Sequence, residues 1–279
     1  MKVLITTPNG KVGQHIAQTL LDKQIPVRIA AHTVSKAQAA FPGAEVVAFD
    51  YHDAASVEAA LVGVTHLYLA APGDYPGELG KRVIDLAQAQ GVKCVVYLSA
   101  MGVENADESV PLRQVEKHLE ASPLEWTILR PTWFMQNYAT GQAASVKNGV
   151  VAEPADDATT AFIDARDIAA VAVEALLNEG HHGQHYALTG AELLTRHQVA
   201  EQLGQALGKP VQYIPLTDEA FRQAMQTYLS PVYLELLSNL YAGVRAGWSS
   251  VKTETVKQVL GRDPIPFQQF AHDHRAAWQ

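Results

Sequence analysis

Six short apolar runs alternating with helical segments constrain this chain more than any other feature. The runs open at Val3 and continue with Pro26–Ala31, Ala44–Phe49, Thr65–Ala71, Val92–Ser99 and Trp126–Leu129. Between them, apolar residues recur at the spacing of one helix face: Ile16, Leu20 and Leu21; then Leu79, Val83, Leu86 and Ala87; then Leu112, Val115 and Leu119. Shorter helices are predicted over Ser35–Phe41 and Ser56–Leu61. Near-continuous apolar strands joined by helical crossovers require a parallel sheet covered on both faces, an α/β doubly wound arrangement. In such a sheet ligands lie outside the carboxyl ends of the strands.

Beyond residue 150 the rhythm changes. Phe162–Asp164 leads into a helix over Asp167–Leu177, and Gln184–Leu188 reads as a strand. Thr195 and Gln198 have the spacing of a capping box, opening a helix that Gly208 and Pro210 end after Leu207. Val211–Ile214 follows as a strand, and helices begin near Asp218, Pro231, Thr253 and Pro266. The expected division is a nucleotide-binding domain over 1–150, with return elements at about 160–190, and a smaller, mostly helical C-terminal substrate domain over 190–279.

With 279 residues and a net charge of −8, and with no basic run, the chain lacks the electrostatic footprint of a nucleic-acid binder. Its apolar runs are too short for a membrane span or a signal segment, which points to the cytoplasm. The single cysteine, Cys94, sits in an apolar run as a small buried hydrophobe and can form neither an internal disulfide nor a cysteine metal cluster.

The stretch Val3–Gly13, VLITTPNGKVG, reads as strand, glycine turn and helix. The first turn of a helix leaves backbone N–H groups without partners and carries partial positive charge, so it suits a phosphate. Gly10 and Gly13 allow close approach, whereas Thr7 stands where the dinucleotide fingerprint has its first glycine. A two-glycine turn of this kind also occurs as an ordinary tight connection. After the second strand comes His32-Thr-Val-Ser-Lys36, with no acid to bind ribose hydroxyls, which leans towards NADPH over NADH; the plain alternative makes Lys36 a solvated lysine. Asp50 reads equally as an acceptor for the adenine amino group and, like Asp53, as a helix cap. Trp133, Phe134, Asn137 and Tyr138 follow Arg130-Pro131 at a strand end, where they suit a flat wall beside a nicotinamide ring or planar substrate, or packing between the two halves. His181, His182 and His185 have no acidic or cysteine partner at a recognised ligand spacing, so no metal is expected.

Taken in order, TTPNGKVG, VSKAQA, FDYHDAASVEAALVGV, VVYLSAMGV, VEKHLEASPLEWTILRPTWFMQNY, FIDARDIAAVAVEAL and HYALTGAELLTRHQVAEQLGQALGKPVQYIPL span nearly the whole chain. In these segments the chain resembles the NmrA-like group of atypical short-chain dehydrogenase/reductases and is similar to the NADPH-dependent quinone reductases among them. The resemblance implies a Rossmann-like domain binding NADPH, with NADH also possible, and a substrate cleft beside the smaller domain. It assigns the diphosphate to Thr6, Thr7, Asn9, Gly10, Lys11, Val12 and Gly13, the adenosine phosphate to His32 and Lys36, and the adenine to Asp50 and Tyr51. The ribose and nicotinamide fall to Ala70, Ala71, Pro72, Ser99, Pro131, Thr132, Trp133, Phe134 and Asn137.

Two positions depart from the pattern: Thr7 replaces the usual glycine and His32 a frequent arginine. The superfamily's catalytic pair, Tyr-x-x-x-Lys, is missing. None of the ten tyrosines has a lysine four residues on, Tyr241 with Arg245 being the nearest case, and the corresponding positions hold Glu108 and Leu112. Ser99, where the superfamily has its serine, and Trp133, Asn137 and Tyr138 are the catalytic candidates. The expectation is hydride transfer from NAD(P)H to a quinone-like or other conjugated small molecule, with water as the proton source. The alternative is a non-catalytic NAD(P)-binding redox sensor acting through protein partners; a nucleotide-sugar isomerase ranks last, because that chemistry wants the tyrosine. The chain is expected as a monomer or a homodimer, helices near Pro231–Gly247 suiting a dimer face and internal packing equally.

Overall fold

The computed structural model describes residues 1–71 and 75–279, so the expectation placed on Pro72 lies outside the described residues. Along the chain run β1 (Val3–Ile5), α1 (Gly13–Asp22), β2 (Val27–Ala31), α2 (Val34–Ala40), β3 (Glu45–Ala48), α3 (Ala54–Leu61), β4 (His66–Leu69), α4 (Gly77–Ala89), β5 (Cys94–Leu98), α5 (Pro111–Glu120) and β6 (Glu125–Pro131). There follow α6 (Gln136–Ala139), α7 (Ala143–Lys147), β7 (Val150–Glu153), α8 (Ala165–Leu177), β8 (Gln184–Leu188), α9 (Arg196–Leu207), β9 (Gln212–Pro215), α10 (Asp218–Met225), α11 (Pro231–Arg245), α12 (Thr255–Leu260) and α13 (Phe267–Asp273). They form two compact units: Met1–Pro131 with Ala165–Ala187, and Thr132–Asp164 with Leu188–Gln279.

The first unit is built on a sheet of order β3-β2-β1-β4-β5-β6-β8. Pairing from β3 across to β6 is parallel, with Val3 opposite Val27, Ile5 opposite Tyr68 and Leu98 opposite Leu129. At the β6–β8 edge, Gly183 N–H donates to Trp126 O and Thr132 N–H to Leu188 O, a bond order that also runs parallel. Strands buried on both faces have to read as continuous apolar runs, as β1 and β2 do. On one face Leu4, Leu67, Leu69, Val95, Tyr97 and Ile128 pack with Val57, Leu61, Val83, Val115 and Leu119 of α3, α4 and α5. Strand order reverses direction between β1 and β4, and a crevice at the carboxyl ends opens at such a switch point.

The second unit holds a two-stranded parallel sheet, with Val150 opposite Gln212 and Glu153 opposite Pro215. Its core joins Tyr138, Phe162, Val199, Leu203, Phe267, Phe270 and Trp278, and a smaller cluster joins Phe221, Leu234, Tyr241 and Val244 with Trp133 at its margin. Arg196 and Glu153 form a buried pair, Nε to Oε2 2.8 Å, and the Arg196 guanidinium lies 4.9 Å from the Phe162 ring centre. The capping box at α9 is present: Gln198 N–H donates to Thr195 Oγ1 at 3.3 Å and Thr195 N–H to Gln198 Oε1 at 2.9 Å.

The division falls at Pro131 rather than near 150, because the chain leaves the main sheet where β6 ends and residues 132–164 pack within the second unit. β7 is an addition to the expected elements; its partner β9 lies some sixty residues on, so no local pattern announces it. Phe162–Asp164, which leads into α8, carries an isolated bridge of Ile163 with Phe134. Among the described residues no helix is long and apolar enough to cross a membrane.

Candidate nucleotide and active site

At the end of β1 the buried Thr6 hydroxyl accepts from Ala70 N–H at 2.9 Å and lies 3.1 Å from Tyr68 O, fastening β1 to β4 at the switch point. Thr7 has φ +49°, a left-handed conformation that costs a β-branched residue about 1–2 kcal/mol, which is the physical reason a glycine is usual here. The Thr7 carbonyl accepts from Gly10 N–H at 2.9 Å and presses on the start of α1, where a Cβ on Gly13 would stand 2.3 Å from it. No side chain caps α1 at Val12, and no acidic residue occupies its first turn. What the turn offers is backbone N–H groups, with Asn9 exposed and the half-buried Lys11, whose ammonium burial shifts to a lower pKa. That donor set, in a turn whose own sequence Thr7–Gly13 carries no carboxylate, fits a diphosphate.

One strand over, His32 and Lys36 are exposed, Lys36 in the first turn of α2. Past β3, Asp53 Oδ1 accepts Ala55 N–H at 3.0 Å and caps α3, while Asp50 Oδ1 accepts His52 N–H at 2.9 Å in a local turn. Asp53 is therefore the cap, and Asp50 is half-buried beside it. Tyr51 turns inward. Its ring is buried edge-on against Phe49 and Tyr75, and its hydroxyl donates to Ala70 O at 2.6 Å. Burial raises its pKa well above the ordinary phenol value. The side chain braces the end of β4, which leaves its backbone for the expected adenine contact. Ala70 and Ala71 close β4, with Ala70 buried and Ala71 half-buried.

Ser99 is buried too. Its N–H donates to Leu129 O at 2.8 Å, and its Oγ is shielded from solvent, with no hydrogen bond of normal geometry among the described residues. It lies beside the carboxylate of Glu116, a fully buried residue of α5. Glu116 accepts from Arg130 Nε at 2.9 Å, Arg130 Nη2 at 2.8 Å and Arg113 Nη1 at 2.8 Å. Burial works against its ionised form, but Arg130, Ser99 and Arg113 outweigh it and hold the carboxyl below the ordinary range. Glu108 is exposed in the turn before α5 and Leu112 is half-buried in its first turn, so no acid and lysine pair replaces the missing tyrosine and lysine. The Glu116–Arg130 pair was not among the expected residues. Its one signal was a charged side chain, Arg130, ending an apolar strand.

In the second unit Thr132 is buried, its hydroxyl bonded to Ala161 O and its N–H to Leu188 O, so its side chain is structural. Phe134 is half-buried, and Asn137 N–H donates to its carbonyl at 3.1 Å. Trp133 is half-buried and stacks on Tyr241 with ring centres 4.9 Å apart and planes tilted by 32°. Tyr138 cannot form a substrate wall: it is 1% exposed, edge-on to Phe162 and Phe267, and its carbonyl accepts from Trp278 Nε1 at 2.8 Å. Its position in sequence shares a strand end with Trp133, but the short helix α6 turns it into the core.

His181 and His182 in the loop before β8 and His185 within β8 each have a protein partner: His181 Nδ1 with the Tyr186 hydroxyl, His182 Nδ1 with Trp126 N–H, and His185 Nε2 with Glu120. Among the described residues no group of three or more candidate ligands is placed to hold a metal.

A parallel sheet of order 3-2-1-4-5-6, with a glycine turn and an uncapped helix start at its switch point, defines a Rossmann-like dinucleotide-binding protein. Residues 8–179 match the family described as NAD(P)H-binding, and the chain belongs to that family of Rossmann-like oxidoreductases. It is 34% identical over 280 residues to the (4-alkanoyl-5-oxo-2,5-dihydrofuran-3-yl)methyl phosphate reductase of Streptomyces griseus, covering 99% of both chains. It is 31% identical over 284 residues to the NAD(P)H azoreductase of Xenophilus azovorans, again covering 99% of each. Among solved structures, the NADPH complex of an NADPH-dependent quinone oxidoreductase from Escherichia coli superposes with a TM-score of 0.86 at 26% identity, covering 98% of this chain and 99% of that one. The NADP complex of the negative transcriptional regulator NmrA shares the fold, with a TM-score of 0.78 at 15% identity over 98% of this chain and 94% of that one.

Proposed function

We propose that this chain is an NAD(P)H-dependent reductase of quinone-like, azo or other conjugated planar acceptors, and that it works without a tyrosine acid. The observation that carries the cofactor side is the turn Thr7–Gly13, whose uncapped, carboxylate-free helix start meets the crevice at the switch point. Thr6 to Gly13 would hold the diphosphate, His32 and Lys36 the 2′-phosphate, and Asp50 with the Tyr51 backbone the adenine. Ala70, Ala71 and Pro131 would flank the ribose and nicotinamide. When bound, NADPH or NADH supplies a hydride.

Trp133, braced by Tyr241, would offer a flat apolar surface to a planar acceptor, with Phe134 and Asn137 beside it. The protein's contribution is then mainly orientation, which can lower a barrier by several kcal/mol, up to about 7–11 kcal/mol in well-aligned cases. Neither Ser99, whose hydroxyl is turned inward, nor Glu108 and Leu112 offers the acid of the wider superfamily. A conjugated acceptor suits that lack, because its reduced anion is stabilised by delocalisation and can take its proton from water.

The test is a titration of the purified protein with NADPH and NADH, followed by nicotinamide fluorescence, and then addition of a quinone or an azo dye. Binding followed by oxidation of the nucleotide is the expected result. Binding without turnover across a panel of conjugated acceptors would refute the reductase reading in favour of the sensor.

A further inference from the structure

The turn after β2 presents two exposed side chains able to carry positive charge, His32 and Lys36, and its sequence has no acid between Ala31 and Lys36. Strand order β3-β2-β1 sets this turn between two others. The turn after β1 carries Lys11, and the one after β3 carries Asp50, His52 and Asp53. Among the described residues these groups, Lys36 on α2 and Arg82 of α4, which donates to Tyr51 O, bring charge to that end of the sheet. The two carboxylates are partly committed: Asp53 caps α3, and Asp50 accepts the His52 N–H.

Arginine keeps its charge at every working pH, whereas a histidine side chain changes charge between about pH 5 and pH 8. NADPH differs from NADH by one phosphate, doubly charged above about pH 6. We propose that His32 makes the choice between the two cofactors depend on pH. Protonated, it joins Lys36 as a second cation for the 2′-phosphate. Neutral, it leaves Lys36 alone there, and its imidazole, one donor and one acceptor, suits the bare 2′-hydroxyl of NADH equally well. The inference rests on the NAD(P)H reading above and concerns only discrimination at the 2′ position, not the chemistry.

Because His32 is exposed, its charge is screened, and the effect is modest: a roughly two- to fivefold change in the ratio of the NADH to the NADPH dissociation constant. The experiment measures both constants by nicotinamide fluorescence at low salt, at about pH 6 and about pH 8, for the wild type, His32→Gln and His32→Arg. The phosphate's own titration is common to all three proteins, so the comparison isolates residue 32. Preference for NADPH should rise on acidification in the wild type relative to His32→Gln. His32→Arg should keep the strong preference at both values.

Calorimetry of NADPH binding near neutral pH, in buffers of different ionisation enthalpy, should show more proton uptake by the wild type than by His32→Gln. Equal pH dependence in the wild type and His32→Gln, or an NADH constant that moves in step with that of NADPH, would overturn the proposal. Failure of the wild type to bind either nucleotide would overturn the cofactor reading itself, a distinct result.

Discussion

Replacing Glu116 by Gln removes the charge that two guanidinium groups share. Glu116 is fully buried and takes two hydrogen bonds from Arg130 and one from Arg113, all at 2.8–2.9 Å. Deleting one partner of a buried pair costs about 3–5 kcal/mol, mostly through the uncompensated charge left behind. Here Glu104 lies 3.8 Å from Arg130 and Glu120 lies 3.7 Å from Arg113, and both arginines keep slight exposure. The lower end of that range, about 3 kcal/mol, is therefore expected. The double change Glu116→Leu with Arg130→Met removes both charges, so it should cost at least about 2 kcal/mol less than the two single changes added together.

Since the folded-state pKa of Glu116 is depressed, its contribution is complete above the unfolded carboxyl pKa of about 4.3 and disappears as pH falls through the lower folded value. The gap between wild type and Glu116→Gln should be constant from neutrality to about pH 5 and close below about pH 4. Urea unfolding followed by circular dichroism measures all four variants: Glu116→Gln, Glu116→Leu, Arg130→Met and the double. A single-variant cost under about 1 kcal/mol, or simple additivity in the double, would refute the claim that this is a buried, mutually compensating pair.

Thr7→Gly relieves the left-handed φ of +49° at the cost of a more flexible unfolded chain, for a net gain of up to about 1 kcal/mol and a rise of roughly 2 °C in Tm by calorimetry. Gly13→Ala forces a Cβ to within 2.3 Å of the Thr7 carbonyl, so the turn must open; NADPH affinity by fluorescence should fall at least about tenfold. Tyr51→Phe deletes the hydrogen bond to Ala70 O and should cost about 1 kcal/mol in urea unfolding, yet change nucleotide affinity less than about twofold; a larger loss would return the ring to the adenine site. Tyr138→Phe removes a buried hydroxyl that has no hydrogen bond of normal geometry among the described residues, so stability should stay within about 0.5 kcal/mol of wild type.

Local periodicity made most of the fold legible. The strand, glycine turn and helix at Val3–Asp22, the alternation up to β6 and the Thr195–Gln198 capping box all depend on residues close in sequence. What escaped depends on distant partners. β7 is a strand only because β9 pairs with it, and the unit boundary at Pro131 reflects where the chain packs rather than any change in composition. The same limit applies to side chains at strand ends: an aromatic residue there suits a ligand wall and a core equally, and the turn geometry alone decides. Trp133 stayed at the margin of its cluster, whereas Tyr51 and Tyr138 turned inward. Glu116 and Arg130, fourteen residues apart on different elements, meet only through the packing of α5 on β6.

The chain leaves the first unit at Pro131, returns at Ala165 for α8 and β8, and leaves again after Ala187. During synthesis, the edge strand β8 and the covering helix α8 therefore emerge only after thirty-three intervening residues, 132–164, that belong elsewhere. Until then β6 has an open edge, and a fragment stopped at Pro131 would keep it so, with unpaired N–H and C=O groups ready for intermolecular pairing. The second unit is thus no cassette: exchanging it between relatives means transplanting an insertion and a tail together, and a chimera joined at a single point would carry half of it with the wrong parent.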